Sequence, residues 1–134
     1  MDNPIYRQKL INIGTGATTA TGGSNSTAVD MQGWDSVTFL GRFAAAATDS
    51  IMNVAGGTAT GSVSDYAGTG VRNKTGVRIT VYRPIHRYVR AEYASATTVA
   101  VGDTWAILSS GRQGAVAATD NVGEFHASPA VGTA

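Results

Sequence analysis

Arg78, Arg83, Arg87 and Arg90, interleaved with Tyr82, Tyr88 and Tyr93, form the densest group of chemically capable side chains in the sequence. Guanidinium and phenol groups combine large contact area with directional hydrogen bonds, and both are enriched where proteins meet proteins. Basic residues alternating with aromatics also suit single-stranded nucleic acid, through phosphate contacts and base stacking. A net charge of +1, with lysine only at Lys9 and Lys74, argues against that second reading. A plain solvated strand face is the third. The pattern favours a protein interface, with Arg83, His86, Arg87, Tyr88 and Arg90 as its contact residues.

Reaction chemistry has less to work with. The segment Ile11-Asn12-Ile13-Gly14-Thr15-Gly16 looks like a strand entering a phosphate loop. The third glycine is missing, however, and no helical pattern follows to supply free amides. His86 and His126 are the only histidines, and the aspartates stand at no spacing that would complete a zinc site. No serine sits in the sharp glycine-flanked turn that exposes a nucleophile. Glu92 lies on an expected strand beside Arg90, where a structural ion pair is the ordinary outcome, and Glu124 lies far away in the tail. Asn25-Ser26-Thr27 and Asn73-Lys74-Thr75 match the glycosylation sequon, but without a signal peptide they read as chance matches. The expectation is a chain that is not an enzyme and holds no cofactor or metal.

The elements that must position the Arg–Tyr group are strands. Val77, Ile79 and Val81 alternate with Arg78, Thr80 and Tyr82, which puts the two sets on opposite faces. Pro84 ends that ladder, because it lacks an N–H and restricts the residue before it. Alternation resumes from Arg87 to Tyr93. Ser36–Phe43 reads as a strand with Val37, Phe39 and Phe43 on one face, and Thr104–Leu108 as another. Ser50–Val54 reads as a strand broken by Gly56-Gly57 and Gly61, and Asp65–Gly70 as turn chemistry. The expected core is Val37, Phe39, Phe43, Val77, Ile79, Val81, Val89, Trp105 and Ile107. Short strands spaced by glycine-rich turns predict an all-β fold: one small sandwich, jelly-roll or barrel-like domain.

That domain is expected over residues 28–112. Residues 1–27 read as an N-terminal arm whose apolar patch, Ile5, Tyr6, Leu10, Ile11 and Ile13, is carried on a Gly/Thr-rich tether from Gly14 to Thr27. Such an arm can add a strand to a neighbour's sheet, so these five residues join the expected interface. Residues 113–134 read as an extended C-terminal tail.

Composition narrows the classes further. The 17 glycines and abundant Thr, Ser and Ala are the palette of strands and turns rather than of surface helices. Cysteine is absent, which removes disulfides and thiolate metal sites. Charged residues make up only 14%, so no strongly electrostatic partner such as nucleic acid or an anionic membrane is indicated. No apolar run approaches the roughly 20 residues of a membrane span, and Met1-Asp2-Asn3-Pro4 lacks the basic-then-apolar order of a secretory signal.

The segment Val77-Arg78-Ile79-Thr80-Val81-Tyr82-Arg83-Pro84-Ile85-His86-Arg87-Tyr88-Val89-Arg90 resembles the strand–Pro–basic–Tyr-Val-Arg pattern of small proteins from tailed-phage head genes. Gly33–Phe39, Ser64–Thr69 and Trp105–Arg112 are similar to that group's first core strand, middle turn and later strand. The likeness is to capsid decoration, or cement, proteins and covers about residues 28–112; the arm and tail have no counterpart in it. The resemblance implies a β-sandwich or jelly-roll unit, favouring a homotrimer, that binds the major capsid protein on the outer surface of the virion. A rival reading is a carbohydrate- or receptor-binding module of a phage fibre or adhesin. Its mark would be exposed aromatics, whereas Trp34 and Trp105 fall where core residues are expected.

Overall fold

A computed structural model describes residues 8–14, 17–19, 24–43, 50–72, 74–95, 99–110 and 123–132. In chain order its strands are β1 (Gln8–Gly14), β2 (Ala17–Thr19), β3 (Ser24–Asn25), β4 (Val29–Asp30), β5 (Ser36–Arg42), β6 (Ile51–Ala59) and β7 (Ser62–Asp65). They continue as β8 (Val71–Arg72), β9 (Gly76–Tyr82), β10 (Tyr88–Ala94), β11 (Val99–Val101), β12 (Thr104–Ser109) and β13 (Gly123–Ala127). The first sheet has the order β1-β12-β5-β9-β13. It is antiparallel except that β13 runs parallel to β9. The second sheet has the order β3-β10-β6-β7, with β4 also on β10 and β8 on β6, all antiparallel. β2 and β11 form a separate two-stranded ribbon. The all-β expectation holds, and the architecture is a small sandwich.

The two sheets bury one apolar layer between them. On β9 the burial pattern alternates, with Val77, Ile79 and Val81 inside; on β10 it does the same with Val89, Ala91 and Tyr93. Val37, Phe39 and Phe43 join them, as do Met52, Val54 and Tyr66 from the second sheet and its margin. The Phe43 and Tyr93 rings meet edge to face at 5.4 Å, a geometry that suits the ring quadrupoles.

Two expected core residues belong elsewhere. On β12 the inward positions are Thr104, Ala106 and Leu108, while Trp105 is 36% exposed and Ile107 half-buried. The register explains why: Ala106 lies opposite Phe39 on β5, so the small side chain stands where its neighbour's ring needs room. The bulky Trp105 and Ile107 therefore take the outer face, beside Leu40 of β5 and Leu10 of β1.

Gly56 and Gly57 do not end β6; the strand runs through them. They are there for close approach. A Cβ on Gly56 would collide with the Tyr66 hydroxyl, and one on Gly57 with the Ser62 carbonyl oxygen. Glycine lets a buried tyrosine and a neighbouring backbone come in against the strand.

The division of the chain into arm, domain and tail is also corrected. β1 pairs along β12 from Gln8 to Gly14, so this part of the expected arm is an edge strand of the domain itself. The Ser26 hydroxyl accepts from the Ala91 N–H at 2.9 Å, and Ser26 N–H donates to the Ala91 carbonyl at 2.9 Å, which ties the tether to β10. In the tail, β13 adds to β9 over five residue pairs, and Ala67 N–H donates to the Ala130 carbonyl at 2.7 Å. Small side chains gave no sequence sign of anchoring, because main-chain hydrogen bonds do the anchoring.

Candidate functional site

Two connections cross from one sheet to the other at the same end of the sandwich. Residues 31–35 lead from β4 of the second sheet to β5 of the first, and residues 83–87 lead from β9 of the first back to β10 of the second. They run side by side because their flanking strands pair: Ser36 opposite Tyr82, and Asp30 opposite Tyr88. Arg83 N–H donates to the Asp35 carbonyl at 2.6 Å at one end, and Met31 N–H to the Arg87 carbonyl at 2.7 Å at the other. Between the two connections lies a cleft of about 570 Å³, lined among others by Trp34, Arg83, Pro84, Ile85, His86 and Arg87.

Arg83 turns the corner in a strained conformation. Its φ of 49° lies in the left-handed region, which costs a residue with a Cβ about 1–2 kcal/mol. The strain is held in place from three sides. Besides the bond to Asp35, the Ser128 hydroxyl donates to the Arg83 carbonyl at 2.8 Å, and Ser128 N–H donates to the Tyr82 carbonyl at 2.8 Å. Ser128 is itself left-handed, with φ 44°. The tail thus locks the corner. The Arg83 guanidinium lies 5.3 Å from the centre of the Tyr82 ring, and among the described residues no carboxylate pairs with it.

Arg87 behaves differently. Its guanidinium makes two parallel bonds to Asp30, Nε to Oδ1 at 2.9 Å and a terminal nitrogen to Oδ2 at 2.8 Å. Those bonds, with one from the Gln32 N–H, hold the Asp30 carboxyl down at about 2. The same guanidinium sits 5.1 Å from the Tyr88 ring centre. His86 is fixed by Tyr66: the rings stack at 5.7 Å with an interplanar angle of 10°, and the phenol oxygen is 3.1 Å from Nδ1. Burial pushes the Tyr66 hydroxyl up to about 12, opposed by the hydrogen bond with His86, so it stays protonated at neutral pH.

The structure therefore brings Arg83, His86 and Arg87 together, with Tyr88 adjoining. Arg90 is separate. It lies on the outer face of the second sheet, where its guanidinium pairs with Glu92 at 2.7 Å as the sequence suggested. Asn53 donates to Asp65 at 3.1 Å in the same patch. Burial holds the Glu92 carboxyl above its ordinary range, a hydrogen bond with Asp65 adds to this, and Arg90 opposes both.

Of the apolar patch assigned to the arm, Ile5 and Tyr6 lie outside the described residues. Ile13 is only 4% exposed and Ile11 packs against the core, so neither is presented to a partner. Strand alternation along β1 leaves Leu10 facing out at 61% exposure. Sequence reasoning missed Ile85, 56% exposed at the cleft, and Trp34, which lines it while packing on the core. The signal for Ile85 was its place between Pro84 and His86, since a loop over a sheet end has nowhere to bury it.

The glycine-rich segment after β1 does not lead into a phosphate-binding helix: the next described residues resume as strand β2. Among the described residues no cluster of three or more His, Asp or Glu side chains forms. The corner suits contact: a rigid loop, cations and an apolar side chain. No family model, curated protein or solved structure matches the chain.

Proposed function

We propose that this chain is a non-enzymatic structural protein that binds the outer surface of a phage capsid, as a homo-oligomer with a trimer favoured, and stabilises contacts between major capsid subunits. The observation that carries the reading is the inter-sheet corner, where Arg83, Ile85, His86 and Arg87 stand on one locked loop beside a cleft. The segment that carries the sequence resemblance, Val77 to Arg90, is the segment that builds this corner from β9 through the loop into β10. Arg and large apolar groups held rigid on a loop lose little entropy on docking, which favours a protein partner. Many copies on one shell add avidity to contacts that are individually modest.

The test is particle stability. Particles lacking the protein are expected to assemble but to burst at lower temperature, and adding the purified protein back should restore resistance, because a ligand that binds only the intact shell stabilises it by mass action. Unchanged bursting after removal contradicts the proposal. The rival carbohydrate- or receptor-binding reading draws support from Trp34 at the cleft and the outward Trp105. It expects a change of tryptophan fluorescence on titration with host-surface polysaccharide, and the capsid reading expects none.

A further inference from the structure

We propose that the corner cleft takes an acidic, apolar-flanked segment of the partner protein, seating a carboxylate on Arg83 and an aliphatic or aromatic side chain against Ile85. The proposal deepens the reading above and rests on it only for the partner's identity as a capsid subunit. Three observations point to this chemistry.

The first is charge. Of the two arginines at the cleft, Arg87 already holds Asp30 through both oxygens, while among the described residues Arg83 has no carboxylate partner. Among the described residues lining the cleft, Asp35 is the one carboxylate, against the guanidinium groups of Arg83 and Arg87. The complement is an anion, and a guanidinium fork matches a carboxylate's two oxygens.

The second is strain. The left-handed Arg83 backbone persists because Asp35 and Ser128 hold it from both sides. Backbone strain over-determined by surrounding bonds is a mark of a positioned functional group. Here it fixes the root of the cleft arginine that has no carboxylate partner among the described residues. The third is the apolar share of the cleft: Ile85 at 56% exposure, with Pro84, Met31 and Trp34 beside it. A nucleic-acid strand would need a row of free cations and open aromatic faces. Among the described residues the corner has one guanidinium without a carboxylate partner and an aliphatic neighbour, which fits a peptide.

Two experiments on the full chain test this. The first follows amide shifts by NMR during titration with a capped hexapeptide of alternating aspartate and leucine. The controls are a lysine–leucine peptide, an aspartate–serine peptide and a short oligothymidylate. Shifts should cluster at residues 31–35 and 83–87, and binding should weaken about tenfold with either control peptide, or in Arg83→Gln or Ile85→Ser. Ile85→Ser leaves the Arg83 backbone alone, so it keeps the test open should Arg83→Gln disturb the fold. No shifts at the corner, equal binding of the lysine peptide, or stronger binding of the oligonucleotide overturns the proposal.

The second measures binding to shells of the major capsid protein. The expected result is a loss of at least about tenfold for Arg83→Glu and for Ile85→Asp. Wild-type binding with both variants unaffected overturns the inference and leaves the capsid reading standing. Absence of wild-type binding to shells, with the peptide result positive, overturns the capsid reading and leaves the inference standing.

Discussion

Two polar clusters three residues apart in sequence have opposite characters. On the outer face of the second sheet, Arg90 pairs with Glu92, Glu92 with Asp65, and Asp65 with Asn53, so each group is satisfied by a neighbour on an adjoining position of the sheet. At the corner, Arg87 is satisfied by Asp30, but Arg83 and Ile85 face outward on a loop that the tail and the 31–35 connection hold still. The sequence presents all of these arginines as one basic stripe. The fold divides them into a group that stabilises the sheet and a group available to a partner. A charged cluster closed on itself is structure, and one left open on a rigid backbone is a candidate contact.

Tyr66 is the joint between the two regions, since it packs against Gly56 of β6 and stacks on His86 of the corner. Truncating this fully buried ring, Tyr66→Ala, should cost about 3–5 kcal/mol in denaturant unfolding, by the usual cost of emptying an aromatic site. Tyr66→Phe keeps the ring and loses only the bond to His86, so about 0.5–1.5 kcal/mol is expected. If the two variants are equally destabilised, the hydroxyl and not the packing holds the joint.

The next contrast is between the arginines. Arg90→Ala leaves a half-buried carboxylate beside Asp65 without its cation, and should cost about 1–3 kcal/mol. Arg87→Ala removes a solvent-exposed pair and should lower stability less. For partner binding the order should reverse. A stability loss larger for Arg87→Ala would erase the distinction drawn between the clusters.

The same contrast has a pH signature of two signs. Asp30 is held at about 2 against an ordinary 3.8, so its contribution to stability is present above pH 3.8 and is lost as pH falls through 2. Glu92 is held above its ordinary 4.5, so its protonated form is favoured by folding: that contribution is complete below pH 4.5 and lost as pH rises through the folded value. Carboxyl-carbon NMR titration should show the two residues displaced in opposite directions. Displacement in the same direction would mean that burial does not separate the two environments.

Much of this was legible in the sequence, and the misses share a cause. β9 and β10 were readable because large and small side chains segregate cleanly by parity, as at Val77, Ile79 and Val81 against Arg78, Thr80 and Tyr82. β12 misled because Trp105 and Ile107 are bulkier than Ala106, and size was taken for inwardness. Which parity faces in was decided by Phe39 on the neighbouring strand, whose ring fills the room that Ala106 leaves. Gly56 likewise read as a break until Tyr66 supplied the reason for it. Strand–strand complementarity is a property of pairs, and one strand read alone carries half of it. That β1 and β13 pair within their own domain was hidden for a related reason: the extended character of residues 5–13 was readable, but main-chain pairing leaves no composition signal for which sheet a strand joins. Of the site, the Arg–Tyr stripe was visible, but its division between corner and sheet depended on where Asp30 and Glu92 fall.

The most direct measurement of the central claim is a reconstruction of the particle with this protein bound, at a resolution that orients the sandwich. The account predicts that the corner formed by residues 31–35 and 83–87 faces the shell, with density from a capsid segment in the cleft against Arg83 and Ile85, and the Arg90–Glu92 face turned to solvent. Contact through the outer face of either sheet, with the corner empty and facing solvent, would contradict it.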